Sequence, residues 1–222
     1  MIIVFDLDDT LYDEITFVKS GFKAVSGFLN KEFKTPMKES YNFMLSELNE
    51  NGRGHIFDST LKKFASLSKR NIKLCVSAYR LHNPKIKLNK DAVSCLKRFK
   101  SSSKYIVTDG NKVVQSNKVK ALKVENKVKK VFITHRYGLK HSKPSPYCFQ
   151  KIIQLEKAKP SDLVYIGDNP FKDFVGIKPL GVKTIRILKG DYKNSKVAKK
   201  FNAHITINSL DEINHKLLLK LK

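Results

Sequence analysis

IIVFDLDDTLYDE, residues 2–14, sets the reading of the whole chain: a short apolar run, then five acids within nine residues. Ile2-Ile3-Val4-Phe5 is continuous and mostly β-branched, the pattern of a strand buried on both faces at the centre of a parallel sheet. The acids follow at the strand's C-terminal end, where open parallel sheets bind their ligands. Asp6 and Asp8 are two apart, so in extended chain their side chains share one side. Two such carboxylates repel each other unless a cation or a shared proton relieves them.

Similar apolar runs recur at 105–107, 131–133, 163–166, 184–187 and 204–207. Helical spacing separates several of them, as in Ala92, Val93, Cys95, Leu96 and Phe99, or Phe149, Ile152, Ile153 and Leu155. Strands alternating with helices of this length predict right-handed βαβ units and an α/β fold built on a doubly wound parallel sheet. From about residue 13 to 84 the rhythm changes and only helical spacing is present. Phe17, Val18, Phe22, Val25, Phe28 and Leu29 would line one helix, and Met37, Tyr41, Met44, Leu45 and Leu48 a second. Leu61, Phe64 and Leu67 continue the pattern, then Leu74, Val76 and Tyr79, with a turn at Asn51-Gly52-Arg53-Gly54. His82-Asn83-Pro84 reads as the return linker, since proline restricts the residue before it. The expected division is a core of residues 1–13 and 85–222 with a helical insert over 14–84.

Composition bounds the rest. The 222 residues are 41% hydrophobic, enough for a real core, and carry a formal charge of +24 from 44 basic and 20 acidic residues. That charge attracts anions and says nothing about fold. No apolar run approaches the roughly 18 residues of a membrane-spanning helix. The first residues lack the basic stretch of a secretion signal. Cys75, Cys95 and Cys148 are widely spaced and form no C-x-x-C pair. A disulfide scaffold or thiolate zinc site is therefore not expected, and a reducing cytoplasm is.

A second acid group ends another strand pattern, in Gly167-Asp168-Asn169-Pro170-Phe171-Lys172-Asp173. Gly167 would let the chain turn sharply. Asp6 and Asp168, from two strand ends, could converge on one hard cation, and magnesium suits oxygen ligands of this kind. Thr108-Asp109-Gly110-Asn111 follows the strand at 105–107 and offers a hydroxyl and turn amides; Lys143 follows the strand at 131–133. A hydroxyl, backbone N–H groups, a lysine and magnesium are what a phosphoryl dianion requires.

Four motifs in this order resemble those of the haloacid dehalogenase-like superfamily of phosphatases, over nearly the whole chain. In DLDDTLYDE, Asp6 matches the nucleophile and Asp8 the general acid/base. Thr108 matches the hydroxyl of the second motif and Lys143 the lysine of the third. Asp168 and Asp173, in GDNPFKD, match the acids of the fourth. The insert matches the family's small helical cap of the first cap class. Asp109 departs from the family, where many members have asparagine.

The resemblance implies a magnesium-dependent phosphomonoester hydrolase with a Rossmann-like core, acting on a small phosphorylated metabolite such as a sugar phosphate or nucleotide. Asp6 would form an aspartyl phosphate, splitting one hard hydrolysis into two easier steps. Asp8 would protonate the leaving oxygen and then deprotonate water. It would have to arrive protonated, a state expected from its neighbouring carboxylate and partial burial. Magnesium would sit between Asp6, the backbone carbonyl of Asp8 and Asp168. Thr108, Asp109, Gly110 and Lys143 would bind the phosphoryl group, with Asp173 supporting Lys143 or a metal-bound water. The cap would close over the substrate, with Tyr12, Phe17, Phe22 and His82 as candidates for choosing it.

Two alternatives stay open: a phosphosugar mutase on the same fold, and a nucleic-acid-associated protein. Residues 112–143 hold ten basic residues against the single acid Glu125, which would suit a nucleic-acid backbone. Against that partner stand the scarcity of arginine and the absence of any stacking or nucleic-acid module. A monomer and a homodimer are equally compatible with the sequence.

Overall fold

Ile2–Phe5 form strand β1, all four residues buried, in a computed structural model that describes residues 1–221. The other strands are β2 (Ser103–Thr108), β3 (Lys130–Ile133), β4 (Leu163–Gly167), β5 (Lys183–Ile187) and β6 (Ile205–Ile207). They make one sheet in the order β3-β2-β1-β4-β5-β6, every neighbouring pair parallel. This is the doubly wound α/β order, with β1 at the centre as its unbroken apolar run predicts. Helices α5 (Lys90–Arg98), α6 (Lys112–Leu122), α7 (Tyr147–Glu156) and α8 (His215–Leu219) flank it.

Alternation along β1 sends residues to both faces. Ile2 and Val4 join Tyr105, Val107, Phe149, Ile152 and Tyr165 in one cluster, while Ile3 and Phe5 are fully buried outside it. Each large apolar side chain buried this way contributes about 1.5–3 kcal/mol. Sequence spacing anticipates α5 and α7 but not α6, whose valines and lysines give little amphipathic contrast.

The chain divides into two compact units: Met1–Glu14 with the chain from Lys87 onward, and Ile15–Ile86. The second is helical, built from α1 (Glu14–Phe33), α2 (Met37–Asn51), α3 (Ile56–Phe64) and α4 (Lys69–Leu81). Its core gathers Val18, Phe22, Val25, Leu29, Met44, Ile56, Leu61 and Cys75. The turn at 51–54 is present, with the Gly52 N–H capping α2 on the Leu48 carbonyl. Three expected core positions are wrong: Met37, Leu67 and Leu74 are exposed. Met37 opens α2 and Leu67 lies between helices. In α4 the inward stripe is Ile72, Cys75, Ala78 and Tyr79, one register step from the expected face.

The segments that follow β5 and β6 are both fastened to the start of α5 through Asp91. Its Oδ2 accepts from Lys189 Nζ at 2.7 Å, Leu210 N–H at 3.1 Å and Ser209 Oγ at 3.2 Å. Burial alone would push this carboxyl up; the Lys189 bond and the Leu210 N–H outweigh it and hold it below its ordinary value. A depressed carboxyl stabilises the fold above its ordinary pKa of 3.8, and the contribution fades as pH falls through the depressed value. Asp91→Asn should therefore cost roughly 1–2 kcal/mol at pH 7. In urea titrations the gap from the unaltered protein should hold above 3.8 and narrow as pH falls below it; a gap independent of pH would remove the charge from this account.

Candidate active site

β1 and β4 are neighbours at the point where the sheet's order reverses, with β2 and β3 on one side and β5 and β6 on the other. Loops leaving two such strands diverge and open a crevice at their carboxyl ends. Asp6 leaves β1 and Asp168 leaves β4, and the Asp6 N–H still donates to the Ile166 carbonyl at 2.8 Å. Carboxylate oxygens of Asp6, Asp168 and Asp173 lie within 4.8 Å of one another, all on buried residues.

Lys143 reaches this group from the loop after β3. Its ammonium, buried, donates to Asp6, to the Tyr165 hydroxyl and to Asp173 Oδ1 at 2.9 Å. Asp173 is fully engaged: Oδ1 also accepts the Tyr165 hydroxyl at 3.0 Å, and Oδ2 the Asn169 N–H at 3.0 Å. Two glycines make the arrangement possible. Contrary to the expected sharp turn, Gly167 closes β4 as a strand residue; a Cβ there would come within 2.4 Å of Asp173 Oδ2. At Gly176 a Cβ would lie 1.7 Å from the Pro144 carbonyl oxygen, so the loop after β4 touches the Lys143 loop backbone to backbone.

The charges do not balance. Burial pushes the Asp168 carboxyl up to about 9, with Asp6 and Asp173 adding repulsion. Asp6 rises to about 7, again mainly by burial, opposed by Lys143 and reinforced by Asp173 and Asp8. Burial disfavours the Lys143 charge, but Asp173 and Asp6 outweigh it and keep the ammonium protonated. With one cation among three buried carboxylates, the excess acid is held protonated, and a hard divalent ion would let it ionise by taking the proton's place. Oxygen donors without thiolate or imidazole suit magnesium rather than zinc. Asp173 Oδ1 already holds two donors and Oδ2 one, so Asp6 and Asp168 carry most of this fit.

Asp8 faces elsewhere. Its Oδ1 accepts from Lys118 Nζ at 2.7 Å and from the Tyr12 hydroxyl, and its Oδ2 from Gln115 Nε2 at 2.8 Å. Its carboxylate is not among the three that converge, which leaves only its backbone carbonyl for a metal. The expected protonated Asp8 is also overturned. Burial would raise its pKa, but the charge and hydrogen bond of Lys118, with the bonds from Tyr12 and Gln115, hold it below the ordinary value. Lys118 in turn pairs with Glu14 at 3.2 Å.

Thr108 ends β2 fully buried, and its Oγ1 accepts from Gln115. Gly110, with φ of 134°, leads into Asn111, which caps α6 through the Val113 and Val114 N–H groups. Asp109 does not offer its side chain to a phosphoryl group. Its Oδ1 accepts the Thr134 hydroxyl at 2.6 Å and the Lys143 backbone N–H at 3.1 Å. Burial raises this carboxyl, and those bonds together with Lys172 outweigh it and hold it ionised. Asp109 braces the Lys143 loop, and as an anion it would repel phosphate.

The structure thus joins Asp6, Lys143, Asp168 and Asp173 in one buried cluster, and ties Thr108 to Asp8 through Gln115. Tyr165, Gln115 and Lys118 escape a reading of the sequence. A lone tyrosine inside an aliphatic strand, and a glutamine and lysine three apart on a helix after the threonine, were the available signals. Tyr12 is fully buried with its hydroxyl on Asp8, so it is not a free specificity residue. Phe17 and Phe22 are buried in the helical unit against Tyr79, and half-buried His82 bonds the Tyr79 carbonyl through Nδ1 at 2.6 Å.

A family model described as haloacid dehalogenase-like hydrolase matches residues 3–187. The chain is 30% identical over 220 residues to a glyceraldehyde 3-phosphate phosphatase of Methanocaldococcus jannaschii, covering 95% of this chain and 94% of that protein. It is 28% identical over 221 residues to a glyceraldehyde 3-phosphate phosphatase of Pyrococcus furiosus, covering 96% and 90%. Among solved structures, a HAD-superfamily hydrolase from Geobacter sulfurreducens matches with a TM-score of 0.69 at 14% identity, over 98% of this chain and 95% of that one. A HAD-hydrolase from Bacillus subtilis, solved bound to magnesium, matches with a TM-score of 0.65 at 15% identity, over 100% and 98%. At such identities the structural likeness speaks for the fold alone.

Proposed function

The chain belongs to the haloacid dehalogenase-like hydrolase family, and from that premise we propose that it is a magnesium-dependent phosphatase of small phosphorylated sugars. The observation that carries this reading is the buried Lys143 ammonium held between Asp6 and Asp173, with Asp168 beside them at the sheet's switch point. A phosphoryl dianion needs a nucleophile, a fixed cation and hydroxyl or N–H donors in one water-poor place. The names of the two relatives make glyceraldehyde 3-phosphate the first substrate to test.

Asp6 attacks phosphorus and carries the phosphoryl group as an aspartyl phosphate until water removes it. Lys143, oriented by Asp173 and Tyr165, and Thr108 hold phosphoryl oxygens. Asp8 gives a proton to the departing oxygen and takes one from the attacking water. Because three donors hold Asp8 as a carboxylate beforehand, the proton it gives is one it first takes from solvent or from the monoanionic ester once substrate has entered. Asp6, Asp168 and the Asp8 carbonyl would hold magnesium, which when bound offsets repulsion between these acids and the ester. The helical unit over 15–86 is taken as the cap. Three free, buried cysteines fit a reducing compartment such as the cytoplasm, and no helix among the described residues is long and apolar enough to cross a membrane.

A panel of phosphorylated metabolites with and without magnesium tests the reading by release of free phosphate. Turnover of glyceraldehyde 3-phosphate or a related triose or sugar phosphate is expected, and chelation should abolish it. Magnesium at about a hundred times its Kd should add ~2.7 kcal/mol of stability, a rise of roughly 5–10 °C in melting temperature. Phosphate release unaffected by chelation, with no thermal shift on adding the ion, would rule out the metal.

A further inference from the structure

We propose that Gln115 is a positioning residue that locks Asp8 and Thr108 in one register, so that proton transfer and phosphoryl grip are aligned by a single side chain. The inference rests on the roles given above to Asp8 and Thr108.

Gln115 is buried on the first turn of α6, and the two hydrogens of its Nε2 serve Asp8 Oδ2 at 2.8 Å and Thr108 Oγ1 at 2.5 Å, with the Asp109 carbonyl sharing one of them at 3.1 Å. The sense of the amide is fixed by chemistry: turned over, its carbonyl oxygen would face the Asp8 carboxylate with no proton between them. Donation into Thr108 Oγ1 has a second effect. An oxygen that accepts from Gln115 keeps its own hydrogen free to donate to a phosphoryl oxygen.

The two Asp8 oxygens are therefore held by different means. Oδ1 is held by Lys118 and Tyr12, whereas Oδ2 is held by Gln115. Lys118 supplies charge, and any well-placed cation would do the same. Gln115 also donates to Thr108, which makes it a side-chain link between the ends of β1 and β2 at the site. Its position is set locally, since Asn111 caps the helix and the Gln115 N–H bonds the Asn111 carbonyl at 3.0 Å.

Gln115→Met keeps the length and removes the donors. The informative measurement is kcat/KM for two monoesters, the best alkyl phosphate from the panel and p-nitrophenyl phosphate. kcat/KM reads the step in which the leaving oxygen departs, and the aryl oxygen departs without needing a proton. General acid help is worth about 10²–10⁴-fold, so the alkyl ester should lose roughly 100-fold and the aryl ester roughly 10-fold or less. A generally disturbed site would lower both esters by one factor. Equal losses, or none, would overturn the inference while leaving the phosphatase reading intact. If the unaltered protein releases phosphate from neither ester, both fall together. Should the Met variant not fold, Gln115→Asn, which keeps an amide but falls one methylene short, carries the same comparison: unequal losses support the inference, and equal losses or none overturn it.

Discussion

Asp6→Asn is expected to abolish turnover, with kcat reduced by roughly a thousandfold or more, while inorganic phosphate still binds. An amide nitrogen or oxygen cannot take the phosphoryl group as a carboxylate does, so no covalent intermediate forms. Binding should survive because the grip lies elsewhere: Lys143 keeps Asp173 and Tyr165 as partners, and Thr108 is not touched by the change. Removing one of three clustered carboxylates also lessens repulsion of the incoming anion, so affinity for phosphate should hold or improve. Stability should not suffer either, since burial already pushes the Asp6 carboxyl up to about 7 and a neutral isostere removes that strain. Phosphate release, acid-quench trapping of the phosphoenzyme and calorimetric titration with phosphate check the three parts. A variant retaining a tenth of normal kcat, with deamidation excluded by mass, would eliminate the covalent step.

Asp173→Ala should be the most destabilising single change at the site. It takes from the Lys143 ammonium one of its two carboxylates, leaving Asp6, and removes the acceptor of the Tyr165 hydroxyl and of the Asn169 N–H, all buried. Removing one partner of a buried ion pair costs about 3–5 kcal/mol. For a chain of this size that is a fall of roughly 6–20 °C in melting temperature. Asp173→Asn, which keeps the shape and can still accept a hydrogen bond, should lose less than half as much. Activity falls in both, through a Lys143 no longer aimed at the phosphoryl group. Melting temperatures within a degree of the unaltered protein would show that Asp173 does not hold the lysine.

Much of this was legible without coordinates, and the reasons are local. β1 is a run of four apolar residues with a single reading, and the acids that follow it fall where a sheet must bind its ligand. The strands at 163–167 and 183–187 have the same clarity. What the sequence could not show was meeting across distance. Counting neighbours along the chain puts Asp8 beside other acids and predicts a proton on it; the fold brings Lys118 to within 2.7 Å and reverses the answer. The partners of the Asp109 carboxylate were hidden for the same reason, because Thr134 and the Lys143 N–H that occupy its Oδ1 lie 25 and 34 residues further on. Tyr165 reads as one more buried strand residue until its hydroxyl is seen on Lys143. In α4 the error was one of phase: Leu74 is the more apolar neighbour, but Cys75 is the one that packs inward.

The bare α-carbon at 176 carries a mechanical consequence. With the Pro144 carbonyl pressed directly against it, the backbone that delivers the lysine cannot move closer to the backbone that follows Asp168 and Asp173. Any side chain added at 176 would have to push the two segments apart, and with them the positive and negative halves of the pocket.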